Sequence, residues 1–170
     1  MTWLALTTVI FAVCATLSTF KGGGYSTRSL LAQSQASDRW AHFQSKSIKG
    51  YLYELQKDSL ELDLASRPDL AGDGRAGYEK RIAEYGGKIA EYKDEKAAIE
   101  KEARDLEASR DGAQKHSAAF GFAVIFLQIA ILLSSIAALV KRRPVYWVGL
   151  AVGAMGMVAF VNGFLLFYAV

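Results

Sequence analysis

Charge is missing from three long stretches of this 170-residue chain. No Asp, Glu, Lys, Arg or His occurs in residues 2–20, 117–140 or 144–170, which are 19, 24 and 27 residues long. Each stretch can cross about 30 Å of hydrocarbon as a helix, because an α-helix rises about 1.5 Å per residue. The missing charge therefore excludes an ordinary soluble domain. It predicts an all-α membrane protein whose transmembrane helices occupy residues 2–20, 117–140 and 145–170.

Cysteine, histidine and the patterns of catalytic sites are also scarce. The single cysteine, Cys14, cannot form an intramolecular disulfide and has no Cys or His neighbour at metal-ligand spacing. His42 and His116 would need Asp38 or Asp111 to complete a metal site. No serine stands in a nucleophile elbow, and no glycine-rich segment carries the lysine of a phosphate loop. We therefore expect no enzyme activity, no catalytic residue, no metal and no cofactor.

The middle of the chain has a single proline, Pro68, and its apolar residues recur at helical spacing. The glycine-rich residues 21–25 predict a hinge after the first span. Residues 26–116 then predict an extramembrane, antiparallel helical hairpin with a coiled-coil interface and a loop near 66–77. The predicted interface consists of apolar residues at steps of three and four: Ile48, Tyr51 and Leu55 in the first arm, and Tyr78, Ile82, Tyr85, Ile89, Tyr92, Ile99 and Leu106 in the second.

The net charge of +3 comes from one short segment. Residues 21–116 contain all 17 acidic residues and 17 of the 20 basic residues, so they are formally neutral. The excess lies in the basic turn at 141–144, in Lys141, Arg142 and Arg143. Short positive loops stay in the cytoplasm, so this turn sets topology and does not indicate nucleic-acid binding. We expect the amino terminus inside the cell and the hairpin outside.

Small and polar residues mark the second and third spans. Gln128 and Asn162 are amides that we expect to hydrogen-bond across helices or subunits, because an amide in hydrocarbon needs a partner. Closely spaced glycines let helix backbones approach in lipid, and they predict packing on the chain's own second span or, alternatively, a subunit interface. Four glycines follow this pattern in the third span: Gly149, Gly153, Gly156 and Gly163.

The segment that begins the first arm resembles a known family. The run Ser29–Lys49, followed by Tyr53-Glu54-Leu55, is similar to the first-arm signature of the DUF4337 family of small bacterial membrane proteins. The Gln128-Ile129-Ala130 run, the basic turn and the glycine-bearing last span extend the resemblance over nearly the whole chain. Family members usually carry a polar, basic tail before the first span, and this sequence does not. The resemblance implies no established activity, cofactor or catalytic residue.

These features favour a non-catalytic scaffold or accessory subunit of the bacterial inner (cytoplasmic) membrane, with its hairpin in the periplasm. Its partners are expected to be membrane lipid and either further copies of itself, as a homo-oligomer, or the other subunits of a larger membrane complex. The arms carry apolar residues beyond those needed to pair the two arms with each other, and this excess predicts the assembly. The alternative is a channel or transport subunit that forms an oligomeric pore, although the spans offer few polar residues for one.

Overall fold

The computed structural model describes residues 2–168, with the side chains of residues 3–168. These residues form three α-helices and no strand: α1 (Thr2–Ser66), α2 (Asp73–Val140) and α3 (Arg143–Leu165). The expected all-helical fold is confirmed. Each helix contains a segment long and apolar enough to cross a membrane. The third span was expected to reach residue 170, whereas α3 ends at Leu165; residues 169 and 170 lie outside the described part of the chain.

The chain divides into two units that differ in charge. The first, here called the apolar unit, consists of residues 1–32 and 108–170, and the second, the charged unit, is Gln33–Glu107. The charged unit carries 13 basic and 16 acidic residues, a net charge of −3. The apolar unit carries 7 basic and 1 acidic residue, a net charge of +6.

The predicted hinge at residues 21–25 is not a break, because α1 is helical throughout this segment. Gly22 lies against α2, where a Cβ on this residue would stand 3.1 Å from the Cβ of Phe120. The Ser117 hydroxyl donates a hydrogen bond of 3.1 Å to the Gly22 carbonyl. The glycine at position 22 therefore permits a close approach between two helices and does not bend the chain.

The core of the apolar unit combines a few large side chains with small ones. Phe120 and Leu127 of α2 are fully buried. Phe11 and Ala15 of α1 form one apolar cluster with Leu127 and Ala130. Small residues at such contacts bring the helix backbones together, which is the main source of helix association in lipid.

Residues 67–72 separate α1 from α2, inside the range where the sequence predicts a loop. The Leu70 N–H donates to the Arg67 carbonyl at 3.1 Å, which closes a turn. Gly72 has a φ of +67°, a left-handed conformation that glycine adopts without steric cost. The Ala76 N–H donates to the Gly72 carbonyl at 3.3 Å, so the first turn of α2 follows directly.

The basic turn joins α2 to α3 in two residues. Lys141 adopts a left-handed φ of 55°, which ends α2. Arg142 is extended, with φ −97° and ψ 114°, and α3 begins at the next residue with Pro144 in its first turn. Proline suits this position because its fixed φ is helical and its missing N–H would have no partner there.

A glycine-to-alanine change distinguishes a continuous helix from a hinge. Gly23 is helical, and a Cβ on it would meet nothing within 4 Å. We expect Gly23→Ala to raise the free energy of unfolding by about 0.5–1 kcal/mol, since glycine loses more backbone entropy than alanine in a helix. Thermal unfolding in mild detergent measures this change. Gly22→Ala is the matched control, and its contact with Phe120 should remove the gain; an unchanged Gly23→Ala midpoint would favour a hinge.

Candidate interaction surfaces

The two helices of the charged unit contact each other along one seam. The partners run in opposite order along the two helices, so the segments are antiparallel. From the loop outward, the contacts are Tyr78 Oη to Asp63 Oδ2 at 2.6 Å, the Tyr53 ring to the Tyr85 and Tyr92 rings at 5.5 and 5.7 Å, Lys46 Nζ to Glu95 Oε2 at 2.6 Å, Arg39 Nε to Glu102 Oε2 at 3.1 Å and Trp40 Nε1 to Glu107 Oε1 at 2.9 Å.

The side chains predicted for the second arm lie on or near this seam. Tyr78, Tyr85 and Tyr92 make the contacts just described. The other four predicted residues are also buried or half-buried: Ile82, Ile89, Ile99 and Leu106. Ala103, one turn beyond Ile99, is fully buried. In α2 the apolar pattern therefore coincides with the buried face.

Two of the side chains predicted for the first arm, Ile48 and Leu55, do not lie in the seam, and this part of the predicted interface is wrong; the third, Tyr51, reaches α2 through the Lys96 ammonium. Ile48, Tyr51 and Leu55 are 53%, 62% and 68% exposed. Helix α1 instead turns small residues inward, including the buried Gly50, whose Cβ position lies 3.7 Å from the Tyr92 Cβ. Apolar periodicity does not detect such a seam, because its buried residues are small. It detects the exposed face of the helix instead.

The exposed apolar residues of α1 within the charged unit form an outer stripe, defined by Ile48, Leu52, Leu55 and Leu62 and interrupted by Ser59. Their steps of four, three and seven residues place them on one face of the helix. Tyr51 lies beside the stripe, and its ring centroid is 5.3 Å from the Lys96 ammonium, which is also 5.3 Å from the Phe43 ring centroid. Lys96 lies between Tyr92 and Ile99 at a position where the spacing of α2 calls for an apolar side chain. Its cation–π contacts explain how a lysine fits there.

Polar contacts across the seam favour its register. The hydrogen bond to Glu95 is the main cause that raises the pKa of Lys46. The hydrogen bond from its hydroxyl to Asp63 likewise raises the pKa of Tyr78. Partly exposed polar contacts of this kind contribute modest free energy, and a shifted register would leave their groups unpaired, so they favour one alignment of the helices.

The four glycines of α3 are buried against other helices of the same chain. The ring of Phe11 in α1 lies directly on Gly153. A Cβ on Gly149 would stand 3.1 Å from the Leu133 Cβ of α2. The other two also face α2: Gly156 against Leu127 and Gly163 against the Phe120 ring. The chain itself therefore fills the surface that these glycines form.

The amides of the second and third predicted spans are placed differently from each other. Asn162 is buried and binds its own carboxyl-terminal segment: its Nδ2 donates to the Tyr168 carbonyl, and the Tyr168 N–H donates to its Oδ1, both at 2.9 Å. Within the chain, Asn162 therefore bonds the segment after its own helix and not another helix, since free backbone groups follow the end of α3. Gln128 is exposed, and no hydrogen bond joins its amide to another residue between 2 and 168.

His116 connects all three helices of the apolar unit, a role that the sequence did not indicate. Its Nδ1 lies 2.8 Å from the Gly163 carbonyl of α3, so this nitrogen carries the proton. Its ring stacks on Tyr25 of α1, with centroids 4.4 Å apart. Within the described residues, no three His, Cys, Asp or Glu side chains are grouped closely enough to hold a metal ion.

The basic turn is exposed and lies beside aromatic side chains. Lys141, Arg142 and Arg143 line a groove of about 360 Å³ together with Trp3 and Tyr146. Aromatic and basic residues of this kind favour the headgroup region of a bilayer. The clustering of these residues agrees with a membrane boundary at this end of the apolar unit.

The chain belongs to a family described as a domain of unknown function (DUF4337), which matches residues 1–166. The resemblance found in the sequence is thereby confirmed. No curated protein and no solved structure matches the chain.

The glycine contacts of α3 predict a position-specific effect of one methyl group. A Cβ on Gly156 would stand 2.8 Å from the Leu127 Cγ and 3.0 Å from the Leu127 backbone nitrogen, which a rotamer change cannot move. We expect Gly156→Ala to lower the free energy of unfolding by about 1–3 kcal/mol through overpacking. Thermal unfolding in detergent measures the loss. Gly121→Ala is the matched control because its Cβ meets nothing within 4 Å. Equal midpoints for both variants would argue against this contact.

The seam of the charged unit predicts unequal effects for two neighbouring tyrosines. Tyr53→Ala removes the ring contacts with Tyr85 and Tyr92, at a cost of about 1–3 kcal/mol for the two pairs. We expect faster amide hydrogen exchange throughout Gln33–Glu107 in this variant. Tyr51→Ala deletes the same side chain from an exposed position, where its ring makes one cation–π contact with the Lys96 ammonium, and should change exchange much less. The opposite ranking would mean that the seam uses the other face of α1.

Proposed function

We propose that this protein is a non-catalytic scaffold of the bacterial inner membrane that self-assembles through the outer stripe of α1. Three transmembrane segments anchor it, and the arms form an antiparallel coiled-coil hairpin in the periplasm. The single observation that carries the proposal is the exposed apolar stripe on a segment too charged to lie in hydrocarbon. An accessory subunit of a larger complex would use the same surface for a foreign partner.

Exposed apolar side chains on the apolar unit support membrane insertion. Such a surface is costly in water, at about 25 cal/mol per Å², but it matches acyl chains. Examples come from all three helices: Leu6, Val13, Leu17, Ile125, Leu132, Ile136, Met155 and Val158. The cytoplasmic placement of the basic turn would then leave the arms on the periplasmic side.

The outer stripe supports self-association because it is apolar, exposed and repeated at coiled-coil spacing. In a hairpin outside the membrane, Ile48, Leu52 and Leu55 would face water unless a partner covered them. A second copy offers the same stripe, so pairing two copies removes both from water and packs leucines at steps of three and four. The seam of the charged unit already occupies the opposite face of α1, so the two contacts do not compete.

Within the membrane, Gln128 supports the same conclusion. Its exposed amide would meet lipid in a monomer. A hydrogen bond with the same amide of another copy would contribute about 0.6–2 kcal/mol to association. The glycines of α3 do not serve this assembly, since α1 and α2 already fill them. An oligomeric pore has less support, because it would be lined by exposed polar side chains, and apart from aromatic ones the described spans expose only Thr16, Thr19, Gln128 and Ser135. The three hydroxyls among these already donate to carbonyls of their own helices.

Two charges placed in the stripe test this proposal. We expect wild-type protein in mild detergent to have at least twice the 18.6 kDa mass of one chain by light scattering corrected for detergent. Leu52→Glu/Leu55→Glu should reduce the mass towards one chain, because carboxylates resist burial in an apolar contact. Ala83→Glu/Ala90→Glu adds the same charge to exposed positions of α2 and should leave the mass unchanged.

The remaining outcomes separate the alternatives. A monomeric wild type that co-purifies with a foreign subunit in fixed ratio would replace the scaffold with an accessory subunit. A monomer with no stoichiometric partner would contradict both. If the double glutamate variant keeps the wild-type mass, the stripe is not the interface.

A further inference from the structure

Two cations near the end of the first apolar stretch are not explained by topology. Lys21 and Arg28 are the only charged residues in the first 37 positions. If the basic turn lies in the cytoplasm, these two cations lie on the opposite side of the membrane. The positive-inside rule does not require basic residues on that side. Both side chains are exposed, and neither makes an ion pair or hydrogen bond with the residues that the structure describes. Their position requires another reason.

Glycines between the two cations leave a notch in the surface of α1. Lys21, Gly24 and Arg28 follow at steps of three and four, so they share one face of the helix. A Cβ on Gly23 or Gly24 would meet nothing within 4 Å, and the backbone there is uncovered. The notch opens into a groove of about 630 Å³ that Thr19, Phe20 and Tyr25 also line.

The notch changes from apolar to cationic along the helix. Phe20 lies one turn before Gly24, at the end of the uncharged stretch, and is 77% exposed. Arg28 lies one turn after Gly24, on the side of the charged unit. Apolar surface at Phe20, followed by open backbone at Gly24 between the cations Lys21 and Arg28, matches the order of acyl chain and phosphate in a phospholipid at a bilayer boundary.

We propose that this notch binds the headgroup of an anionic phospholipid. The phosphate lies over Gly24 between the Lys21 ammonium and the Arg28 guanidinium, while an acyl chain follows Phe20. Arginine and lysine both donate charge-assisted hydrogen bonds to phosphate, and the missing Cβ atoms allow the headgroup to reach them together. This site needs membrane insertion of α1 but does not need self-assembly of the protein.

Native mass spectrometry of the full chain tests the site. The protein in mild detergent receives equal amounts of phosphatidylglycerol and phosphatidylcholine, and the lipids retained per chain are counted. We expect wild type to retain phosphatidylglycerol preferentially. Lys21→Gln/Arg28→Gln should reduce this retention at least about fivefold, the effect of one cation near an anionic surface. Lys93→Gln/Lys101→Gln removes the same charge from exposed arm positions and should have no effect.

A second variant separates a shaped notch from general attraction to positive charge. Gly24→Leu fills the notch, leaves both cations in place and fits the open space around position 24. We expect it to reduce phosphatidylglycerol retention as the double glutamine variant does. If Gly24→Leu binds like wild type, or if the arm control loses as much lipid, the site is overturned. Displacement of the lipid by soluble glycerol phosphate at equal concentration would assign the notch to free phosphate and also overturn it.

Discussion

The apolar unit depends on one constraint. Glycines leave the backbone of α3 bare, and large side chains of α1 and α2 contact it at these positions. Hydrocarbon supplies no hydrophobic force between helices, so packing must hold them together. Phe11, Leu127 and Phe120 each lie on one glycine of α3. The spacing of these glycines therefore sets the position of α3 along its neighbours, and His116 adds a hydrogen bond to the same helix near its end.

The charged unit is held together by a different balance of forces. Its seam is narrow, because Gly50 and Ala103 occupy positions where larger side chains would separate the helices. Aromatic rings and ion pairs fill the intervals between these small residues. Few large apolar side chains are buried there, so packing alone favours the alignment weakly. Contacts such as Trp40 with Glu107 and Lys46 with Glu95 make other alignments less favourable, because a shifted register would leave them unpaired.

Apolar periodicity predicted the helices and the buried face of α2, because there the large residues and the seam coincide. It did not predict the seam of α1, where Ala36 and Gly50 are buried while Leu52, Leu55 and Leu62 are exposed. The role of Gly22 could not be predicted for a related reason, because a glycine suits either a hinge or a close contact between helices. Only the position of Phe120 distinguishes the two roles. The role of Asn162 depended on where α3 ends, a boundary that an uninterrupted apolar run does not mark.

The difference between the predicted and the observed seam of α1 bears on function. One face of this helix packs on α2, and the opposite face, which carries the outer stripe, is exposed. A helix needs a single buried face to join a two-helix hairpin, so leucines at steps of three and four on the opposite face are not required by this fold. Exposed apolar stripes of this kind reduce solubility unless something covers them. If the charged unit lies outside the membrane, as we propose, this surface would need a partner, and its repeat at coiled-coil spacing would fit a second copy of α1.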